Sequence, residues 1–241
     1  REKVYELSLL EINKIRKLRG SVVDLHPGMG GITPDKIVDM IKKGIKLTSL
    51  DFMLTRGCNF ECTWCFANSG PLKKEYLPFA LLKSITEEAA ELGVSLFVLT
   101  GGEPLMYRDP ALGKLQSIGD HFFKVVEMIL ETYARKNKHI KILTFDDVAL
   151  ISADISKKFS QYEVGLCTKK DTLIKELQDY KVNQVGAFQK MEKGYQNLNE
   201  VGYGQNPKLR LVVNSILDHT TFDGMIDLHF WVLDHGFDHS I

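Results

Sequence analysis

Three cysteines fall within eight residues, Cys58, Cys62 and Cys65, in the spacing C-x3-C-x2-C. Thiolates are ligands for zinc and for iron–sulfur clusters, and one short loop can fold three of them around one centre. A disulfide would use two and strand the third, so the spacing points to a metal or cluster site. The apolar stretch Leu50-Asp-Phe-Met-Leu54 runs directly into this loop. A second group of chemical interest is Gly101-Gly102-Glu103-Pro104, where two glycines expose backbone beside a carboxylate. A closed zinc site is the plain alternative for the cysteines. It needs a fourth ligand, which Cys167 or a histidine would have to supply.

The elements that must position these groups follow from periodicity. Strands are expected at 47–55, 94–99, 140–145, 162–167 and 209–216, with a further strand beginning at 237–241. Helices are expected between them at 78–92, 120–136, 152–160, 187–201 and 220–235. The strands are apolar along most of their length, as in Ser95-Leu-Phe-Val-Leu99, which predicts parallel strands covered on both faces. Repeated βα units make a parallel sheet or barrel. Such folds gather ligands at the carboxyl ends of the strands. Cys58 follows the first strand and Gly101 follows the second, so neighbouring strands would set the two groups side by side.

Ahead of this alternation, a helix is expected over 3–18, and another opens at Thr33-Pro34 and ends at Gly44. Between them His26-Pro-Gly-Met-Gly-Gly31 reads as a turn, because no Gly-Lys-Ser/Thr follows to make a phosphate loop. The first residue is not Met, and the expectation is that the sequence begins inside a longer chain. Lys+Arg and Asp+Glu both number 31, so net charge argues for neither nucleic acid nor an anionic membrane surface. No apolar run approaches the ~20 residues that span a bilayer. Four cysteines, three of them clustered, do not make a disulfide scaffold, and a cytoplasmic location is expected.

Cys58-x3-Cys62-x2-Cys65 with Trp64 before the last cysteine, followed by Gly101-Gly102-Glu103-Pro104 after the next strand, resembles the radical S-adenosylmethionine (radical SAM) enzymes. The resemblance covers about residues 47–241, while 1–46 form a separate N-terminal segment with no assignable motif. Through Gly186-Ala-Phe-Gln-Lys-Met191 and Leu198-Asn-Glu-Val-Gly-Tyr203 it is similar to a particular branch. That branch includes anaerobic sulfatase-maturating, peptide-modifying (SPASM/twitch) and small-molecule-modifying enzymes. The implied fold is α/β, a parallel partial (βα)6 barrel cut off near its sixth strand.

The resemblance also implies the cofactors and their contacts. Cys58, Cys62 and Cys65 would hold three irons of a [4Fe-4S] cluster and leave the fourth for S-adenosylmethionine. Gly101, Gly102 and Glu103 would receive its amino group, Trp64 and Phe66 would flank the adenine, and Thr168 and Asn214 would contact ribose and carboxylate. Partners would be a flavodoxin- or ferredoxin-like one-electron donor and a peptide or small-molecule substrate. No catalytic side chain is assigned. One departure is Thr144-Phe-Asp-Asp147, where this branch often carries a Thr-Asn-Gly turn.

Other residues have plainer readings. Cys167 reads as a small buried apolar residue, and Asp109-Pro110 as turn chemistry. Lys169 and Lys170 read as solvated, and His219, His229, His235 and His239 as surface or helix-end residues. With only Cys167 to spare, these 241 residues cannot supply a second complete cluster. From a different class, a noncatalytic zinc- or iron–sulfur-binding module is the alternative.

Overall fold

A computed structural model describes residues 47–241; the two helices expected at 3–18 and from Thr33 to Gly44, and the turn between them, lie outside the described residues. Six strands form one sheet in the order β1-β2-β3-β4-β5-β6, with every neighbouring pair parallel. They are β1 (Ser49–Met53), β2 (Leu96–Thr100), β3 (Lys141–Asp146), β4 (Gly165–Lys169), β5 (Leu211–Asn214) and β6 (Asp238–Ser240). Between them run α1 (Phe79–Leu92), α2 (Asp120–Arg135), α3 (Ala153–Gln161), α4 (Lys175–Lys181), α5 (Ala187–Glu200) and α6 (Met225–Asp234). β1 and β6 do not pair, so the sheet stays open as a partial barrel. The expected sixth strand is present, seated on β5 by the Ser215 N–H to Ser240 carbonyl bond of 2.8 Å.

The helices pack against one face of the sheet. Phe52 of β1 stacks on Phe97 of β2, and Tyr133 of α2 meets Phe97 edge-on at 5.9 Å between centroids. Phe122, Phe123, Val126 and Ile129 of α2 complete a largely dry cluster with Phe159 of α3. Full burial stabilises each such side chain by about 1.5–3 kcal/mol, which is what holds the helical layer on the sheet.

Among the described residues, the expected cover is found on one face of the sheet only. Asp51 and Asn214 are exposed, Met53 and Phe145 are exposed to 40% and 42%, and Leu143, Cys167, Lys169 and Val212 keep partial access. Alternation along each strand places these residues on the side opposite the helices. Met53, Leu143, Phe145 and Val212 are apolar, which suggests two-sided burial, whereas no described helix covers them. Cys167 accordingly lies half-buried on the open face instead of in the core.

Several boundaries also differ, that of the fourth strand with a visible cause. The fourth strand starts at Gly165, because Glu163 takes a left-handed φ of 50° in the turn that ends α3. The strand therefore runs on to Lys169. Helix α4 was not anticipated. It has only seven residues, and its two buried side chains are the polar Gln178 and Lys181.

Candidate functional site

The cysteine loop leaves β1 and returns to its start. Its base is closed by the Leu77 N–H to Leu54 carbonyl bond (2.8 Å) and the Arg56 N–H to Glu75 carbonyl bond (2.9 Å). Arg56 then clips the interior of the loop. Its guanidinium donates to the carbonyls of Ala67 (3.1 Å) and Asn68 (2.9 Å) and pairs with Glu75 at 3.0 Å. Sequence reading missed Arg56, although a guanidinium immediately before Gly57-Cys58 is a signal that a loop needs several carbonyls gathered.

All three cysteines of the loop are free thiols, Cys58 buried and Cys62 and Cys65 half-buried. The Phe60 N–H donates to the Cys58 sulfur and the Ser69 N–H to the Cys65 sulfur, each at 3.4 Å. Such donors suit sulfurs that carry negative charge, as cluster thiolates do. The sulfurs do not come together as ligands of one ion. Among the described residues, only Glu103, Asp146 and Asp147 place three metal-ligating atoms within 4.8 Å of one another. Burial pushes the Cys58 thiol up and the Cys62 thiol up to about 11, and the Lys169 ammonium partly offsets this for Cys62. A bound metal centre reverses that preference, because a coordinated thiol is deprotonated.

Directly beside the loop lies the Gly-Gly-Glu-Pro turn, as the chain order required. The Gly102 N–H donates to the Thr55 carbonyl (2.7 Å) and the Glu103 N–H to the Gly57 carbonyl (2.9 Å). A Cβ on Gly101 would stand 2.5 Å from the Thr55 oxygen, and one on Gly102 would stand 2.3 Å from the Gly57 oxygen. The glycines therefore have a demand the sequence did not reveal. They let the end of β2 press against the backbone that carries Cys58.

Glu103 is fully buried. One of its carboxylate oxygens accepts from the Leu105 N–H and the other from the Asp147 N–H, both at 2.9 Å. It thus caps the short turn Pro104–Met106 and also ties the β2 rim to the β3 rim. Asp146 and Asp147 lie against it, the first bonding the Val148 N–H at 2.6 Å and the second the Ala149 N–H at 3.0 Å. Burial, then mutual repulsion, pushes the Glu103 and Asp147 carboxyls well above the usual carboxylate range; burial does the same to Asp146. Val148 holds φ at +71°, a costly conformation for a β-branched residue. Gly194 of α5 makes room for that turn, since a Cβ there would meet the Val148 carbonyl oxygen at 2.1 Å.

The remaining expected contacts are scattered. Trp64 is half-buried, with the Lys169 and Lys181 ammonium groups over its ring at 5.1 and 4.5 Å. Phe66 is 82% exposed. Thr168 is buried on the helix side, bonded to the Tyr195 hydroxyl of α5 at 3.0 Å. Asn214 is exposed at the rim and opposite Lys169 in register, so these two share the open face.

The solvated reading of the two lysines fails. Lys169 pairs with the buried Asp171 at 2.8 Å, its own side chain 22% exposed. Lys170 is fully buried against Phe188, Tyr195 and Trp231 and is paired with Glu192. Aromatic faces and a carboxylate replace the water such a cation would otherwise need. Asp109 does cap its turn, and also accepts the Phe79 N–H at the start of α1 at 2.7 Å. No described helix is long and apolar enough to cross a membrane.

An open parallel βα sheet, with a three-cysteine loop after its first strand and a Gly-Gly-Glu-Pro turn packed on that loop, defines a class of α/β protein built to hold a metal cluster at its rim. The family model of the Radical SAM superfamily matches residues 52–187. The chain belongs to the radical SAM superfamily, enzymes that use a [4Fe-4S] cluster and S-adenosylmethionine.

Among curated proteins, the GTP 3',8-cyclase of Tolumonas auensis is 28% identical over 63% of this chain and 46% of its own length. That of Clostridium botulinum (strain Hall) is 34% identical over 28% of this chain and 22% of its own length. Among solved structures, Streptococcus suis SuiB bound to precursor peptide SuiA aligns with a TM-score of 0.60 at 16% identity, over 98% of this chain and 50% of that one. Native anSMEcpe with bound AdoMet and Cp18Cys peptide aligns at 0.59 and 18% identity, over 81% and 51%. The chain thus spans about half or less of the length of these relatives.

Proposed function

We propose that this chain is the cluster- and S-adenosylmethionine-binding core of an enzyme that takes a hydrogen atom from a peptide or protein side chain. When bound, the reduced cluster and S-adenosylmethionine supply a one-electron cleavage that leaves methionine and a 5'-deoxyadenosyl radical, the hydrogen-abstracting species. Cys58, Cys62 and Cys65 are assigned to hold the cluster. Gly101 and Gly102 set the Cys58 backbone against the β2 rim, and Glu103 locks that rim to β3. Asn214 and Lys169, which share the open face, are positioned to orient polar groups of S-adenosylmethionine or substrate. A flavodoxin- or ferredoxin-like protein is assigned as the electron donor.

The packing of the Gly-Gly-Glu-Pro turn onto the cysteine loop carries this reading. The peptide substrate is supported by the likeness to SuiB bound to a precursor peptide. A small anionic metabolite is the second reading. It is favoured by the Lys169 ammonium on that face and by relatives named GTP 3',8-cyclase. Deuterium-labelled peptide and nucleotide pools, incubated separately with reduced enzyme, test the choice. Deuterium in 5'-deoxyadenosine from the peptide pool supports the first reading, and label from the nucleotide pool alone overturns it.

A further inference from the structure

We infer that Lys181 is a positioning residue for the cysteine loop: together with Lys169 it grips the Trp64 indole and so fixes Cys62 and Cys65 where they meet the cluster. The inference rests on the assignment of these cysteines as cluster ligands. Trp64 stands between Cys62 and Cys65 in the chain, so the place of its ring sets the path of both. The Lys181 ammonium lies 4.5 Å from the ring centroid and the Lys169 ammonium 5.1 Å.

Each ammonium is held from its other side. Lys181 bonds Asp218 at 2.6 Å and the Thr220 hydroxyl at 3.4 Å, and Lys169 pairs with Asp171 at 2.8 Å. Those carboxylates are themselves anchored. Asp171 accepts the Ile216 N–H at 2.9 Å, and Asp218 accepts the N–H groups of Thr220 and Thr221 at 2.8 and 3.2 Å. Helix α4 is fixed in turn by buried Gln178, whose amide oxygen accepts the N–H groups of Asp171 (2.9 Å) and Thr172 (3.3 Å). A second tie runs beside the first. The Glu61 N–H donates to the Val182 carbonyl at 3.1 Å, and the Asn183 amide to the Glu61 carboxylate at 3.4 Å. Ammonium groups from β4 and α4 thus meet on one indole, and the segment after β5 holds the second of them.

The burial of Lys181 argues against an incidental contact. Its side chain is 2% exposed, whereas that of Asp218 keeps 34%. Asp218 could be satisfied by water, while Lys181 gives up its hydration to sit against the ring. A cation–π contact strengthens when desolvated, and Trp is the best aromatic partner. The short, polar α4 is therefore less a core element than a brace for the cysteine loop.

The test follows iron release from anaerobically reconstituted protein to a bathophenanthroline chelator, with thermal midpoints measured alongside. Lys181→Met should release iron about tenfold faster, the loss of one desolvated cation–π contact, with Lys181→Arg close to wild type. In a Trp64→Leu background, Lys181→Met should add little, because its partner ring is already gone. An unchanged rate in Lys181→Met, or an equal increment in both backgrounds, overturns the proposal. If Lys181→Met does not fold, Trp64→Phe decides: faster release at an unchanged midpoint supports the grip, and unchanged release overturns it. Failure of the ligand assignment looks different, since Cys62→Ala would then keep its cluster.

Discussion

Glu103 at the end of β2 accepts the backbone N–H of Asp147 at the end of β3, at 2.9 Å, while its other oxygen accepts the Leu105 N–H. The carboxylate of the Gly-Gly-Glu-Pro turn is therefore a weld between two rim loops. Glu103→Gln keeps one acceptor oxygen and leaves one buried N–H unpaired, at a cost of about 1–3 kcal/mol. The thermal midpoint should fall by several degrees, and S-adenosylmethionine affinity by equilibrium dialysis should fall with it. A full midpoint with lost affinity would instead make the side chain a direct ligand.

Gly102→Ala tests the approach of the two loops. Its new Cβ, 2.3 Å from the Gly57 oxygen and 2.9 Å from the Cys58 Cβ, meets backbone that cannot step aside. Iron per chain after reconstitution should drop below half of wild type. Gly93→Ala is a useful comparison: a Cβ there meets nothing within 4 Å, though its φ of +82° carries its own strain. It should lower the midpoint modestly and leave iron content unchanged.

Lys170 and Glu192 form a buried pair whose members have unequal exposure, 0% and 38%. Glu192→Gln leaves a buried ammonium with aromatic faces alone and should cost about 3–5 kcal/mol in urea unfolding. Lys170→Ala removes the cation with its packing among three aromatic rings and leaves only the half-exposed Glu192, at about 2–5 kcal/mol, the range for truncating a large buried side chain. Equal and negligible costs would show that the box is not load-sharing.

The buried carboxylates give the stability a sign in pH. Asp147 and its neighbours titrate above their unfolded values, chiefly through burial. A raised folded pKa stabilises at pH below the unfolded value, and that contribution is lost as pH rises through the folded value. The reconstituted protein should therefore lose thermal stability as pH rises from about 4, where the unfolded carboxyls titrate, to about 8, where Asp147 titrates in the fold. Asp147→Asn, which cannot ionise, should flatten the slope; an identical slope in this variant would refute the cause given.

Apolar periodicity made the first five strands and five helices legible, because they bury apolar side chains in one core. The sixth strand, Asp238–Ser240, has no buried residue and was legible only through Phe237 before it. It misled on the open face, where Met53, Leu143 and Phe145 are apolar yet keep solvent access. The cysteine loop and the Gly-Gly-Glu-Pro turn were legible because their residues are close in sequence. The grip on Trp64 was not, since Lys169, Lys181 and Asp218 come from three separate segments and meet only in the fold. The bounds of the fourth strand were less legible, as Thr168 shows. Placed past the strand by sequence, it lies within β4 with its hydroxyl bonded toward α5.

The central claim is that the three-cysteine loop holds a cluster at which S-adenosylmethionine is cleaved. The direct measurement is 5'-deoxyadenosine formed by anaerobically reconstituted protein given dithionite and S-adenosylmethionine, quantified by mass spectrometry beside Cys62→Ala. Product from the wild type and none from Cys62→Ala is the predicted result. A wild type that carries its full iron yet forms no 5'-deoxyadenosine would contradict it.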